Sequence, residues 1–266
     1  MQKLKILFIG DIIGKIGRTI CEKVLPDLKN EFSPDLIIAN GENSAHGYGI
    51  TEKIYKELMD IGIEAFTMGN HIWDKKETVV NIDRMPLLVR PANYPPGAPG
   101  LTSLILGKNG VKIAITNLVG RVFMQCLDCP FQAIEKLLPN VTKETNIILV
   151  DMHAEATSEK CAMAWHLDGR VSAVLGTHTH VMTADERILP SGTAFISDVG
   201  MVGAFDSIIG MNKEQILKRF LTQMPEKFAP TEEGTGIFNA VLLTIDAETG
   251  KSKEIKPIRM VVGPDL

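Results

Sequence analysis

Short apolar runs alternate with amphipathic stretches along this 266-residue chain, and this alternation limits the folds available to it. The apolar runs have the length and the branched side chains of buried strands. We expect strands over residues 4–9, 36–39, 65–68, 111–117, 147–150, 171–175, 194–197 and 240–245. We expect helices over residues 19–32, 51–61, 75–84, 130–138, 157–167 and 213–223. The alternation predicts an α/β fold, and hairpin-like pairs in the middle and at the end leave open one mixed sheet or two stacked sheets.

The chain is expected to form one domain over residues 1–266. Its length allows a single substantial core or two modest ones. The proline-rich segment 90–100 is the best linker candidate on composition, but it also suits a surface loop between strands. Because no repeat or low-complexity tract divides the sequence, the single-domain interpretation is preferred.

Charge and hydropathy exclude several classes of protein. The chain has 28 basic and 32 acidic residues, a formal net charge of −4 and no run of lysines or arginines. It therefore lacks the basic footprint of an extended nucleic-acid surface, although small anionic ligands stay open. Asp11 interrupts the first apolar run before a signal-peptide core could form, and no window has the length of a membrane span. With only four scattered cysteines, we expect a cytoplasmic protein without membrane contact.

Polar, glycine-rich motifs follow five of the predicted strands, and four of the six histidines lie in them. In an open α/β sheet, ligands bind beyond the carboxyl ends of the strands, so motifs far apart in sequence can meet at one site. Any one motif alone could be a turn or a satisfied histidine, but five of similar ligand chemistry are hard to produce by turn preference. The motifs are Gly10-Asp11, Gly41-Glu42-Asn43, Gly69-Asn70-His71, Asp151-Met152-His153 and Gly176-Thr177-His178-Thr179-His180.

This donor set predicts a centre with two metal ions. It holds too many ligands for one closed four-coordinate site, but it suits two ions that share a carboxylate. Imidazole together with carboxylate and amide oxygen favours Fe, Mn or Zn over Mg or Ca. Two such ions, about 3.5–4 Å apart, activate water and hold a phosphoryl oxygen for in-line attack. The residues thus indicate phosphoester hydrolysis, without selecting a diester or a monoester.

In chain order, these motifs resemble the motif series of the calcineurin-like metallophosphoesterases. The likeness is closer to the YmdB-type branch, and it covers nearly the whole chain through residues 11–14, 41–44, 153–160 and 198–203. Two positions depart from the broad superfamily pattern. Ile13 stands where the first motif usually has histidine, and Glu42 stands where the second usually has a bridging aspartate. In the branch resembled, the amide that corresponds to Asn43 compensates for the missing imidazole.

The resemblance implies a fold, a metal set and ligand positions. The fold would be two mixed β-sheets packed face to face and flanked by helices, an α/β/β/α sandwich. The cofactors would be two divalent or mixed-valence metal ions, with iron expected and manganese or zinc as alternatives. The resemblance also implies how the ligands divide, with Glu42 bridging: Asp11, Glu42, Asn43 and His180 for the first ion, and Glu42, Asn70, His153 and His178 for the second.

His71 is left outside this ligand set. By the resemblance it would donate a proton to the departing ribose oxygen, since imidazole commonly titrates near pH 6.5. The alternative is that His71 only positions the neighbouring Asn70. The two other histidines are not predicted to take part in the chemistry. His46 is expected to be a solvated loop residue, and His166 is expected to be structural.

The predicted activity is that of a two-metal phosphodiesterase acting on small nucleotides, above all 2′,3′-cyclic nucleotides. A phosphomonoesterase or protein phosphatase is the alternative enzyme. A metal-bound nucleotide sensor with incidental catalysis is the alternative outside enzymes. The loop over residues 198–211 could cap the site and help fix substrate size, or it could form a contact in a homo-oligomer.

Overall fold

The computed structural model describes residues 2–263, and its strands and helices follow the alternation seen in the sequence. The strands are β1 (Lys3–Ile9), β2 (Asp11–Ile12), β3 (Leu36–Asn40), β4 (Ala65–Thr67), β5 (Leu88–Val89), β6 (Ser103–Lys108), β7 (Val111–Val119), β8 (Ile148–His153), β9 (Ala173–Thr177), β10 (Arg187–Ile188), β11 (Ala194–Ile196), β12 (Met201–Ala204), β13 (Gly236–Asp246) and β14 (Ser252–Val262). The helices are α1 (Gly14–Phe32), α2 (Glu52–Asp60), α3 (Lys76–Asn81), α4 (Pro130–Val141), α5 (Thr157–His166) and α6 (Lys213–Thr222).

The strands form two mixed sheets. The first has the order β2-β12-β13-β1-β3-β4-β5, with β14 also paired to β13. In it β1 runs parallel to β3 and antiparallel to β13. The second sheet has the order β10-β11-β9-β8-β7-β6, with parallel pairing from β7 through β8 and β9 to β11. Parallel strands joined through helices bring their carboxyl ends to one edge of each sheet.

Three apolar layers hold the sheets and helices together. The middle layer lies between the two sheets and includes Phe8 and Ile38 from the first and Leu149 and Leu175 from the second. A second layer packs α1 and α2 against the outer face of the first sheet, and a third packs α4 and α5 against the outer face of the second. Helix, sheet, sheet and helix therefore follow in that order, which confirms the predicted sandwich. The assignment of residues 1–266 to one domain stays a prediction.

All eight predicted strands are present, and the structure adds six that the sequence pattern did not reveal: β2, β5, β6, β10, β12 and β14. Three of these contain only two residues, which is too short for a periodic signal. β14 alternates charged and apolar residues and contains Pro257, which its edge position tolerates. None of the helices within residues 2–263 has the length and apolar character needed to cross a bilayer.

α1 begins at Gly14, five residues before the predicted start. Glycines at 14 and 17 weaken the helical signal in the sequence. The structure explains Gly17, because a Cβ there would come within 2.5 Å of the Val202 carbonyl oxygen. Glycine thus lets α1 approach β12 closely, and the packing of α1 against the first sheet outweighs its low helix propensity.

Candidate metal centre

The five strand-end motifs meet at one edge of the sandwich. Asp11 follows β1, Glu42 follows β3 and His153 ends β8, so the site takes residues from both sheets. The His178 backbone N–H donates to Asp11 Oδ2 at 3.3 Å, which joins two segments 167 residues apart in the chain. The structure thus brings together all seven predicted ligands, namely Asp11, Glu42, Asn43, Asn70, His153, His178 and His180.

One group of donor atoms surrounds His153. Its Nε2 lies 2.9 Å from Glu42 Oε1, 3.0 Å from His178 Nδ1 and 3.1 Å from Asn70 Oδ1. The candidate ligand atoms of Glu42, His153 and His178 all lie within 4.8 Å of one another. A carboxylate, an amide oxygen and two imidazoles thus converge on one small volume, as they do around a first-row transition metal.

A second group lies beside the first and shares Glu42 with it. Asn43 Nδ2 is 3.1 Å from His180 Nε2 and 3.4 Å from Glu42 Oε1. His180 Nε2 is 3.9 Å from Asp11 Oδ1. Glu42 Oε1 therefore contacts members of both groups.

Two observations test whether a cation fits these donors. Asp11 is fully buried, and its Oδ1 has no hydrogen-bond partner in the described chain, although such an oxygen is costly to leave unsatisfied. A Cβ on Gly69 would overlap the Glu42 carboxylate and the His153 ring, so glycine keeps these ligand atoms accessible to each other. The residues present therefore fit divalent cations.

The electrostatics of the site also favour a bound cation. Burial raises the pKa of Asp11 well above its usual range, an effect only partly opposed by the charge of His153. Burial would likewise raise the pKa of Glu42, but the charges and hydrogen bonds of His153 and then of His71 outweigh it and lower that pKa to about 2. Burial would lower the pKa of His153, but the charges of Glu42 and Asp11 raise it to about 9. In this arrangement His153 carries a proton that a metal would replace.

The pKa values of His178 and His180 are lowered, in contrast to that of His153. Burial, followed by the charge of His153, lowers the pKa of His178 to about 3. Burial is also the main cause that lowers the pKa of His180. Both imidazoles are therefore neutral at physiological pH, which is the form that binds metal.

Hydrogen bonds behind the ligands select the ring nitrogen that faces the site. Thr177 Oγ1 donates to Asp151 Oδ1 at 2.6 Å and lies 2.9 Å from His153 Nδ1. The Thr177 oxygen is thus left to accept from Nδ1–H, which leaves Nε2 of His153 as the ligand atom. The Ile209 carbonyl oxygen lies 2.9 Å from His180 Nδ1 and fixes that ring in the same way.

The loop that carries His178 and His180 has an unusual backbone. These histidines have φ angles of 100° and 67°, a region that side chains other than glycine rarely occupy. Asp198 anchors the loop between them by accepting from the Thr179 backbone N–H at 3.0 Å and from its hydroxyl at 2.7 Å. Asp198 in turn pairs with Lys160 on α5.

Sequence reasoning did not identify Lys160, Thr177 or Ile209 as supports of the ligands. Lys160 and Asp198 lay within motifs that carried the family resemblance, but pattern alone gave them no role. Lys160 is 1% exposed, and a lysine in the middle of a short helix is expected at the surface until its burial is known. The one sequence signal for such a support was the spacing of Asp151 and His153. Residues two apart on a strand share a face of the sheet, so a neighbouring side chain such as Thr177 can contact both.

His71 lies at the rim of the centre. Its backbone N–H donates to Glu42 Oε2 at 3.0 Å, and its ring Nδ1 is 2.8 Å from Asp74 Oδ2. Tyr48 packs edge-on against the ring at a centroid distance of 5.1 Å. Asp74 binds one side of the imidazole, so Nε2 lies on the opposite side. Away from the centre, His46 is exposed on its loop and His166 pairs with Glu135 at 2.8 Å.

A cavity of about 560 Å³ opens in front of these residues. Its polar end includes Glu42, Asn43, His71, His178 and His180. Its other walls come from the segment before α6, from α6 itself and from Phe228. The loop over residues 198–211 contributes Ile208, Ile209 and Met211 to the cavity. Part of this loop therefore lies beside the site, as its predicted role in capping the site requires.

Comparisons with known proteins find relatives that match nearly the whole chain in sequence and in fold. The profile of the YmdB-like protein family matches residues 7–258. The 2′,3′-cyclic-nucleotide 2′-phosphodiesterase of Bacillus subtilis (strain 168) is 51% identical over 255 residues, which cover 96% of each chain. A crystal structure described as a novel phosphatase from Mycoplasma pneumoniae has a TM-score of 0.93 and 38% identity, and covers 99% of this chain and 95% of its own. A hypothetical protein from Thermus thermophilus has a TM-score of 0.90 and 43% identity, with 97% and 100% covered.

Proposed function

The chain belongs to the YmdB-like protein family, and from this premise we propose that it is a metal-dependent phosphodiesterase that opens 2′,3′-cyclic nucleotides. The observation that carries the proposal is the position of Glu42 Oε1, which lies 2.9 Å from His153 and 3.4 Å from Asn43, in contact with both donor groups. A shared carboxylate is the usual link between two catalytic metal ions in phosphoester hydrolysis. The identity with the B. subtilis phosphodiesterase supports the choice of substrate.

The two donor groups support a specific division of the ligands. One ion would be held by Asp11, Glu42, Asn43 and His180, and the other by Glu42, Asn70, His153 and His178. When bound, such ions supply Lewis acidity that polarises a phosphoryl group and favours ionisation of water at neutral pH. We propose iron as the native metal, with manganese or zinc as alternatives, because imidazole and carboxylate donors together suit these ions.

His71 is proposed to donate a proton to the ribose 2′-oxygen as the bond from phosphorus to that oxygen breaks. Asp74 accepts from Nδ1 and orients the ring, and the His71 backbone is tied to Glu42 Oε2. Nε2, on the far side of the ring, is then the atom that carries the transferred proton. The product would be a nucleoside 3′-phosphate, in agreement with a 2′-phosphodiesterase.

Four free cysteines in the described chain support the further proposal that the enzyme works in the reducing cytoplasm. The net charge of −4 supports a small nucleotide rather than a polynucleotide as the substrate. As the alternative to capping the site, the loop over residues 198–211 would form the contact between copies in a homo-oligomer.

The test is hydrolysis of 2′,3′-cyclic AMP by protein loaded with Fe, Mn or Zn, followed by chromatography that separates 3′-AMP from 2′-AMP. We expect 3′-AMP as the product, and the matched Glu42→Gln variant should be inactive. Nitrophenyl phosphate measures monoesterase activity in parallel. Faster turnover of this monoester than of any diester would favour the phosphatase alternative. Tight cyclic-nucleotide binding without turnover would favour the sensor.

A further inference from the structure

The cavity in front of the metal centre has an apolar wall that the proposed chemistry at the phosphate does not use. Ile208 and Ile209 come from the segment before α6, Ile216 and Phe220 from α6, and Phe228 from the segment after it. Phe220 is 71% exposed although it lines this cavity. Large apolar side chains exposed around a functional cavity commonly mark a binding surface.

α6 presents a mixed face to the cavity. Ile216, Arg219 and Phe220 lie at the helical spacing i, i+3 and i+4 and share one side of α6, and Gln223, which caps the C-terminal end of α6, also lines the cavity. The Arg219 guanidinium has one long hydrogen bond, 3.5 Å to the Met224 carbonyl. α6 and its C-terminal cap therefore combine an aromatic ring with a cation and an amide along the cavity.

Hydrogen bonds connect one part of the wall to the metal centre and other parts to each other. The Ile209 carbonyl accepts from His180 Nδ1, and Ile208 and Met211 exchange two backbone hydrogen bonds of 3.0 Å. On the other side of α6, the Ala229 backbone N–H donates to Gln215 Oε1 at 2.9 Å, which holds the segment that carries Phe228. A ligand that reaches the phosphate-binding end would therefore meet this wall at a set distance.

We propose that this wall, formed by Ile208, Ile209, Ile216, Phe220 and Phe228, is the subsite for the base of the nucleotide. The inference rests on the proposed function. A purely alkyl substituent would gain nothing from Arg219 and Gln223. A nucleobase suits both the apolar wall and these polar groups, because it has an apolar face and a hydrogen-bonding edge.

Recognition through a ring face gives a definite specificity. Every base has such a face, so stacking tolerates all four, and the larger purines gain more contact area than pyrimidines. We therefore expect purine 2′,3′-cyclic nucleotides to have the lower KM, with small differences in kcat.

The experiment compares two variants of α6 on two substrates. Phe220→Ala removes the aromatic wall, and Leu221→Ala is the matched control, since Leu221 is 83% exposed and does not line the cavity. Both side chains lie largely in solvent, so neither change should unfold the protein. The substrates are 2′,3′-cyclic AMP and methyl β-ribofuranoside 2,3-cyclic phosphate, which has a methoxy group in place of the base.

Phe220→Ala should raise KM for 2′,3′-cyclic AMP about tenfold and leave the methyl riboside unaffected, given what one stacked base contributes. Leu221→Ala should change neither. Equal effects of Phe220→Ala on both substrates, or no effect on either, would overturn the base subsite while the phosphodiesterase activity stands. Equal losses in both variants, together with dissociation of an oligomer on sedimentation, would overturn it in favour of an interface between copies.

Failure of the proposed function would look different, because wild-type protein would turn over neither substrate. The base subsite is then tested by calorimetric binding of 3′-AMP and ribose 3-phosphate to the metal-loaded protein. Tighter binding of 3′-AMP that is lost in Phe220→Ala supports the subsite without turnover. Equal binding of the two ligands in wild type overturns it.

Discussion

Lys160 Nζ lies 2.7 Å from Asp198 Oδ2, and both side chains are only 2% exposed. Asp198 also holds the backbone between His178 and His180 through Thr179. The ion pair thus connects α5 to the loop that presents two proposed ligands. Removal of one partner of a buried pair leaves an uncompensated charge, which commonly costs about 3–5 kcal/mol.

Asp198→Leu should therefore lower the free energy of unfolding by several kcal/mol and also weaken metal binding. The double variant Lys160→Met, Asp198→Leu separates the two effects. It no longer contains the unpaired charge of Lys160, but it still lacks the carboxylate that anchors Thr179. We expect stability to recover partly while metal content stays low, measured by urea unfolding and elemental analysis. Full recovery of metal content in the double variant would show that Asp198 does not position the loop.

Replacement of the shared carboxylate should affect both metals together. In Glu42→Gln both donor groups lose a charged ligand, so elemental analysis should find both ions depleted. His180→Ala should chiefly empty the site that Asp11 and Asn43 complete, leaving about one ion per chain. Retention of two ions by Glu42→Gln would contradict the bridging role.

His71→Ala tests proton donation. The variant should keep both metals and lose on the order of 10²–10⁴ in kcat on 2′,3′-cyclic AMP, whose ribose alkoxide leaves poorly without a proton. A nitrophenyl diester should lose much less, since nitrophenolate leaves readily. Equal losses on both substrates would indicate that His71 orients the phosphoryl group instead, and loss of metal would make it a ligand or a support for Asn70.

Metal binding should release a proton from His153 at any pH below about 9. His153 has its pKa raised to about 9 in the folded chain, and a metal needs its neutral form. Below that pKa, binding displaces one proton from His153, so affinity rises by up to tenfold per pH unit and levels off above about pH 9. Calorimetry at pH 7.5 in buffers of different ionisation enthalpy counts the protons. Glu42→Gln removes a charge that raises the pKa of His153, so this variant should release fewer protons for each metal ion that it binds.

Local signals in the sequence predicted the α/β alternation and the polar motifs after the strands, whereas the two-sheet sandwich and the division of the ligands followed from the family resemblance. Buried strands produce apolar runs, and the polar residues directly after β3, β4 and β9 announced where those strands end. The supports could not be predicted in this way. The Ile209 carbonyl that orients His180 belongs to the backbone, which any residue type supplies. Phe220 resembles an ordinary core position of an amphipathic helix, and only the tertiary structure shows it beside the cavity.

The position of β1 and β2 has a consequence for the order of synthesis. β1 pairs with β13 along its whole length, and Asp11 in β2 pairs with Met201 in β12. These partners leave the ribosome some 190 residues or more after the strands that need them. Contacts between such distant segments form late and slowly. A growing chain would therefore be unable to assemble the Asp11 corner of the centre until β12 and β13 have been synthesised.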